Sequence, residues 1–217
     1  MQKIQLTASD GHSLDAFMQE SANSKGLVIV VQEIFGITQN ILDTVERFAA
    51  AGYTAVAPAI YDRFEKDLVL EYSDTTKARE YKDALSTKNA MSDIRACIPL
   101  AKGQKVAVVG YCFGGTLAFL SACELGVEAS ICYYGGGIAS MLDKTPKCPT
   151  LMHFGKLDSL IPLSSVEQIK QALPKEEIYI YEPAGHGFSC HQRESFHAPS
   201  DELAFTRSLD FLHKNLS

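Results

Sequence analysis

The chain has 217 residues, of which 46% are apolar and 21% are charged. This composition is typical of a globular protein with a sizeable core, and it argues against disorder, a collagen-like repeat or a coiled coil. The formal net charge of −6 argues against nucleic acid as the main partner, because phosphate binding requires a basic surface. No apolar stretch approaches the length of a membrane span.

Short apolar runs alternate with segments of helical pattern along most of the chain. The predicted strands cover residues 3–6, 14–19, 27–31, 54–57, 106–109, 129–133, 150–154 and 177–181. The predicted helices cover residues 41–51, with Asn40 as cap and Gly52 as stop, then 88–101, 116–125, 163–173 and about 200–216. Residues 62–85 are polar, and we expect them to form loop and helix over the mouth of the active site.

This alternation predicts an α/β fold with a mostly parallel central sheet and helices on both faces. No internal repeat and no linker rich in Pro, Gly or Ser divides the sequence, so we expect residues 1–217 to form a single compact domain. In such a sheet, ligands bind at the carboxyl ends of the strands. The residues that follow each strand are therefore the first candidates for chemistry.

The segment 110–115, Gly-Tyr-Cys-Phe-Gly-Gly, joins an apolar strand to a helix through small residues. This pattern is that of a nucleophile elbow, in which the central side chain is exposed at the end of the sheet. Glycine at 110 and 114 allows neighbouring backbone to pass close to the turn. A thiol at a helix N-terminus is favoured as thiolate by the exposed N–H groups and the helix dipole. Cys112 is therefore the candidate nucleophile, although a buried core thiol is the alternative interpretation.

A carboxylate and an imidazole follow the next strands in the order expected for an α/β-hydrolase. Asp158 comes after the predicted strand 150–154, and His186, between two glycines, comes after strand 177–181. The chain order nucleophile, acid, histidine is that of this fold. Asp158 could instead be a turn residue or a helix cap, and His186 could be an ordinary loop histidine.

The segment after strand 27–31 reads Gln-Glu-Ile-Phe-Gly. The oxyanion of an acyl transfer needs two N–H donors, and the backbone N–H groups of Phe113 and Ile34 are the candidates. Glu33 lies between apolar residues, which is an unfavourable place for a carboxylate without a function. We expect its side chain to point into the same pocket as Cys112, although a solvent-facing glutamate at a strand end is the alternative.

Together these motifs resemble the dienelactone hydrolase family of α/β-hydrolases. The segments that carry the resemblance are 32–36, 110–115, 133–135, 153–155 with Asp158, and 184–188, and they span nearly the whole chain in the expected order. The resemblance implies a Cys112–His186–Asp158 triad. It also implies a resting state in which the Cys112 thiol contacts Glu33, so that the carboxylate gates the thiol until substrate displaces it.

The sequence departs from the family at the substrate end. Family members that cleave dienelactone hold the substrate carboxylate with arginines, one of them four residues after the catalytic histidine, where this chain has Cys190. Arg193 could move into the gap. Arg79, Tyr81 and Phe35 are the candidate substrate contacts. The hydrolase chemistry therefore carries over, whereas dienelactone as the substrate does not.

The function expected from these residues is hydrolysis of a carboxylic ester or lactone through an acyl-thioester. An acyltransferase or a thioesterase could use the same groups, and a non-catalytic scaffold of this fold is the alternative outside enzymes. We expect a small-molecule substrate, no cofactor, no metal, and no nucleic-acid or membrane partner. The six cysteines match no zinc pattern and residues 1–7 lack a secretory signal, which predicts a cytoplasmic location. The oligomeric state stays open.

Overall fold

A computed structural model describes all residues, 1–217. Eight strands form one sheet, and their bounds lie within two residues of the predicted ones. The strands are β1 Gln2–Thr7, β2 Ser13–Gln19, β3 Leu27–Val31, β4 Thr54–Pro58, β5 Val106–Tyr111, β6 Ala129–Tyr133, β7 Thr150–Gly155 and β8 Glu177–Tyr181.

The sheet has the strand order β1-β2-β4-β3-β5-β6-β7-β8. Strands β1 and β2 are antiparallel to their neighbours, and all pairings from β4 to β8 are parallel. Every residue of β3, β4, β5, β6 and β7 is buried. This burial explains why these strands appear in the sequence as continuous apolar runs, since a parallel sheet is covered on both faces.

Six helices cover the two faces of the sheet. They are α1 Gln39–Ala50, α2 Thr75–Ala84, α3 Thr87–Arg95, α4 Phe113–Glu124, α5 Leu163–Ala172 and α6 Ala198–Leu216. Helices α1 and α6 are joined by the Arg47–Asp201 ion pair at 2.7 Å and by the packing of Phe48 against Phe205. No helix has the length and apolarity that crossing a bilayer requires.

Two predicted helix ends were wrong. Asn40 lies inside α1, whose cap position is Thr38. Gly52 does end this helix as predicted, because it follows the cap residue Ala51 at φ 96° and its N–H donates to the Ala49 carbonyl. The predicted helix 88–101 is interrupted: α3 ends at Arg95, and a 3-10 turn covers Ile98–Ala101. Pro99 explains the break, because proline has no N–H to donate and disfavours helical backbone in the residue before it.

The fourth helix also differs from its prediction, because it begins at Phe113 rather than at residue 116. The two glycines of the turn are thus the second and third residues of the helix. The helix axis consequently starts directly at Cys112, and the sulfur lies at its N-terminal end.

Candidate active site

Cys112 occupies the single residue between β5 and α4. Its backbone has φ 56° and ψ −114°, a conformation that residues other than glycine rarely adopt. The Cys112 N–H donates to the Tyr133 carbonyl at 3.0 Å, which ties the turn to the end of β6. This strained backbone directs the side chain away from the sheet and into the space above the strand ends.

The backbone around Cys112 packs too closely for side chains. A Cβ atom added to Gly110 would lie 1.8 Å from the Gly114 carbonyl oxygen. One added to Gly114 would lie 2.3 Å from the Val31 carbonyl oxygen. Glycine at both positions is therefore a steric requirement of the strand-to-helix turn, as the sequence pattern indicates.

The structure brings Cys112, Asp158 and His186 together at the carboxyl ends of β5, β7 and β8. The His186 Nε2 atom lies 3.1 Å from the Cys112 sulfur. The His186 Nδ1 atom lies 2.7 Å from the Asp158 Oδ2 atom. Because the carboxylate accepts from Nδ1–H, Nε2 is the ring nitrogen that faces the sulfur and can exchange a proton with it.

Asp158 is buried and held by backbone. Its Oδ1 atom accepts from the N–H groups of Leu160 at 2.8 Å and Ile161 at 3.1 Å, while Oδ2 receives the His186 ring. Asp158 is thus both the turn residue that the sequence analysis gave as the alternative and the hydrogen-bond partner of the His186 imidazole. The turn fixes the direction of the Asp158 carboxylate.

The imidazole of His186 is largely buried, and its ring centre lies 5.1 Å from that of Tyr134. Burial by itself lowers the pKa of His186, but the hydrogen bonds with Asp158 and Cys112 outweigh it and raise that pKa to about 10. An imidazole with a raised pKa holds a proton strongly once it has taken one. The arrangement is therefore suited to storing a proton removed from the sulfur.

The two predicted oxyanion donors, the backbone N–H groups of Phe113 and Ile34, belong to residues that line the same cavity as Cys112. Phe113 is the first residue of α4, where N–H groups have no acceptor within the helix. Ile34 lies in the turn that follows β3, the strand paired with β5. Ile34, Cys112 and Phe113 all line one cavity.

Glu33 is fully buried, but the expected contact with the thiol is not formed. Neither carboxylate oxygen of Glu33 has a hydrogen-bond partner, and the Cys112 sulfur is bound to His186 instead. Burial raises the pKa of the Glu33 carboxyl, while the nearby charges of Arg193 and His186 oppose that shift. Because burial penalises the charged form, the neutral form of the carboxyl is favoured at this position.

The cavity above Cys112 has a volume of about 450 Å³. Helix α2 forms part of its wall through Thr75, Arg79 and Lys82, so the helical part of the segment 62–85 lies at the cavity as predicted. Two predicted substrate contacts, Arg79 and Phe35, line the cavity. Tyr81 does not: its ring packs between Tyr61 and Phe64, with centroid distances of 5.9 and 5.4 Å, so this prediction was wrong.

Arg193 supplies a cation near the position that Cys190 leaves without one. The Cys190 sulfur is buried and donates to the Tyr72 hydroxyl at 3.1 Å. The Arg193 guanidinium lines the cavity, 5.7 Å from the ring centres of both Phe35 and Tyr72. The sequence analysis left open that Arg193 fills this gap, but it did not name Lys82, Met141 and Leu160 as lining residues.

No group of three or more His, Cys, Asp or Glu side chains is placed to hold a metal ion. The acidic residue nearest to the sulfur along the hydrogen-bond chain, Asp158, is engaged with backbone and imidazole through both of its oxygens. Its carboxylate is thus committed to orienting the ring of His186.

Comparison with known proteins gives consistent matches over nearly the whole chain. The sequence model of the "Dienelactone hydrolase family" matches residues 14–216. A carboxymethylenebutenolidase from Pseudomonas putida is 35% identical over 96% of this chain and 94% of its own length. A crystal structure described as "Putative Dienelactone Hydrolase" from Klebsiella pneumoniae covers 97% of this chain and 98% of its own, with a TM-score of 0.82 and 26% identity.

Proposed function

The chain belongs to the dienelactone hydrolase family and is an ester- or lactone-cleaving enzyme, and on this premise we propose that Cys112, His186 and Asp158 perform the cleavage through an acyl-thioester. The observation that carries the proposal is the continuous path of hydrogen bonds from sulfur to carboxylate. Its two links measure 3.1 and 2.7 Å, both within the range for direct proton transfer.

In the first half-reaction, His186 Nε2 takes the thiol proton and the sulfur attacks the carbonyl carbon. The negative charge that forms on the carbonyl oxygen is stabilised by the N–H groups of Ile34 and Phe113. The tetrahedral species collapses to the acyl-thioester when the leaving oxygen takes the proton from His186. Asp158 keeps the ring oriented and stabilises its charged form.

In the second half-reaction, a water molecule gives a proton to His186 Nε2 and attacks the thioester carbonyl. The same two N–H groups stabilise the second oxyanion. The sulfur leaves, recovers the proton from the imidazole, and the acid product departs. The raised pKa of His186 supports both halves, because each requires the ring to carry a proton temporarily.

The substrate proposed is a small-molecule ester or lactone, since the cavity volume of about 450 Å³ lies within the range of pockets that enclose small organic ligands. No feature of the cavity favours acyl transfer to another acceptor or a non-catalytic scaffold. A cytoplasmic location stays a prediction, supported by six cysteines that are all free.

The test is hydrolysis of p-nitrophenyl acetate by the wild type, Cys112→Ala and a matched control, Cys148→Ala. Cys148 is another partly buried thiol, outside the cavity. We expect the control to keep wild-type kcat/KM and Cys112→Ala to lose at least about 10³-fold, because removal of a nucleophile leaves only the oxyanion donors. Activity that survives in Cys112→Ala would overturn the proposal.

A further inference from the structure

Two neutral hydroxyl groups line the cavity, those of Thr75 and Thr116. Thr75 is exposed at the start of α2, where water can satisfy its hydroxyl. Thr116 is only 8% exposed and lies on α4, the helix that begins directly after Cys112. A hydroxyl that is shielded from water is unfavourable unless it forms hydrogen bonds, so the partners of Thr116 determine what this residue can do.

The oxygen of Thr116 acts as an acceptor within the protein. The Gly137 N–H donates to the Thr116 Oγ1 atom at 3.0 Å. A Cβ atom added to Gly137 would lie 2.6 Å from the Thr116 Cγ2 atom, so the turn after β6 packs directly on this threonine. The Thr116 side chain is therefore held in one place by a rigid helix and by the turn that covers it.

The O–H proton of Thr116, in contrast, has no acceptor within the protein. Threonines in helices often donate to the carbonyl four residues earlier, as Thr44 does at 2.7 Å and Thr206 at 2.9 Å. Thr116 forms no such bond, and the carbonyl four residues earlier, that of Cys112, accepts the Thr116 N–H instead, at 3.3 Å. Since a hydroxyl carries one donor, that donor is left for a group inside the cavity.

The free donor lies close to the reacting atoms. Thr116 is the fourth residue of α4, and its N–H bond to the Cys112 carbonyl places it one helical turn after the residue that carries the sulfur. One turn of an α-helix rises about 5.4 Å. A substrate atom that meets the Thr116 O–H is therefore only a few bonds away from the carbonyl carbon that the sulfur attacks.

We propose that Thr116 determines specificity, because its O–H donates to a neutral oxygen that the natural substrate carries within a few bonds of the scissile carbonyl. The inference rests on the proposed function and specifies its substrate class, which is an oxygenated ester or lactone with an ether, keto or hydroxyl oxygen at that place. An analogue with a CH₂ group there leaves the O–H without a partner and binds less well.

The test compares kcat/KM within two pairs of esters that differ only by an oxygen in place of a CH₂ group. The first pair, p-nitrophenyl methoxyacetate and p-nitrophenyl butyrate, has the oxygen on the acyl side. The second pair, 4-methoxyphenyl acetate and 4-ethylphenyl acetate, has it on the alcohol side. Each ratio is divided by the ratio of the hydroxide-catalysed rates, which removes differences in intrinsic reactivity. We expect a corrected ratio of at least about 3 in one pair or both, as one neutral hydrogen bond provides.

Substitutions at Thr116 identify the source of this preference. Thr116→Val keeps the shape of the side chain and Thr116→Ala shortens it, and both should bring the corrected ratio to about 1 because both remove the donor. Thr116→Ser retains the hydroxyl and should retain the preference. The matched control is Thr206→Val, which changes an exposed helical threonine outside the cavity and should leave the ratio unchanged. A general loss of activity, such as one caused by the unpaired Gly137 N–H, cancels within each pair.

Two outcomes overturn the inference and leave the proposed function intact. One is Cys112-dependent hydrolysis with a corrected ratio near 1 for both pairs in the wild type. The other is a preference for the oxygen-containing ester that persists in Thr116→Val and Thr116→Ala. Failure of the wild type to cleave any of the four esters, or hydrolysis that persists in Cys112→Ala, would overturn the proposed function itself.

Discussion

Asp158→Asn tests the proposed chemistry most directly, because the surrounding backbone determines how the new amide must lie. The carboxylate accepts from two backbone N–H groups on Oδ1 and from His186 Nδ1 on Oδ2. Asparagine has only one side-chain oxygen. Turning the NH₂ group toward the backbone would leave donors facing donors at Leu160 and Ile161, at about 1–3 kcal/mol for each unsatisfied group. The oxygen should therefore remain on the backbone.

The amide NH₂ group then faces His186 Nδ1, which can only accept from it. The ring must take the other tautomer, with the proton on Nε2 pointing at the Cys112 sulfur. In that state the imidazole cannot take the thiol proton. A wrong tautomer in a serine triad lowers kcat by about 10⁴-fold. Because a thiol ionises more readily than a hydroxyl, we expect a loss between about 10³- and 10⁴-fold, or about 4–5.5 kcal/mol of transition-state stabilisation.

The assay is kcat for p-nitrophenyl acetate at pH 7, with Asp210→Asn as the control. Asp210 is an exposed carboxylate on α6, and its substitution should leave kcat unchanged. Thermal melting of both variants distinguishes a changed tautomer from a damaged fold, since an asparagine in place of Asp158 keeps the volume and the backbone hydrogen bonds of the original side chain. A folded Asp158→Asn variant that retains more than about one tenth of wild-type kcat would refute the reasoning.

Two further predictions concern stability. Gly110→Ala should lower the free energy of unfolding by more than about 4 kcal/mol in urea titration, because its Cβ would lie 1.8 Å from the Gly114 carbonyl oxygen. Gly136→Ala, with no atom nearer than 3.5 Å, is the control; equal losses would contradict the steric argument. Burial raises the pKa of Glu33, so its stabilising contribution is complete below about pH 4.3 and is lost as the pH rises through the folded-state pKa. The melting temperature of Glu33→Gln relative to wild type should therefore rise between pH 5 and pH 8, because the amide has no charged form to bury; a constant difference would contradict this.

The sheet and the positions of the three side chains of the proposed triad could be predicted because their signals are local. Buried parallel strands appear as continuous apolar runs such as 27–31 and 106–109, and Cys112 follows one of them. Asp158 follows the buried strand β7, and His186 follows β8, the half-buried strand at the edge of the sheet. Once the strands are in order, their carboxyl ends meet at one edge. The positions of Cys112, Asp158 and His186 then follow without knowledge of any loop.

The substrate side of the cavity could not be predicted in this way. Arg193 reaches Phe35 because the chain after His186 turns through Gly187, at φ 75°, and returns across the mouth. That path depends on contacts between loops far apart in sequence. Tyr81 illustrates the same limit: the helical segment was located, but not which of its faces meets the cavity and which packs on Tyr61.

Cys112 and Asp158 are both held in position by contacts with the main chain. A residue at φ 56° relaxes unless its surroundings prevent it, and here the Tyr133 carbonyl holds its N–H while Gly110 and Gly114 admit backbone too close for any movement. The carboxylate is fixed in the same manner by backbone N–H groups rather than by flexible side chains. Both ends of the hydrogen-bonded chain from Cys112 to Asp158 are thus set by the main chain, and the imidazole is held between them at 3.1 and 2.7 Å. Reaction in such a site needs little rearrangement, because the polar groups already point at the atoms on which charge develops.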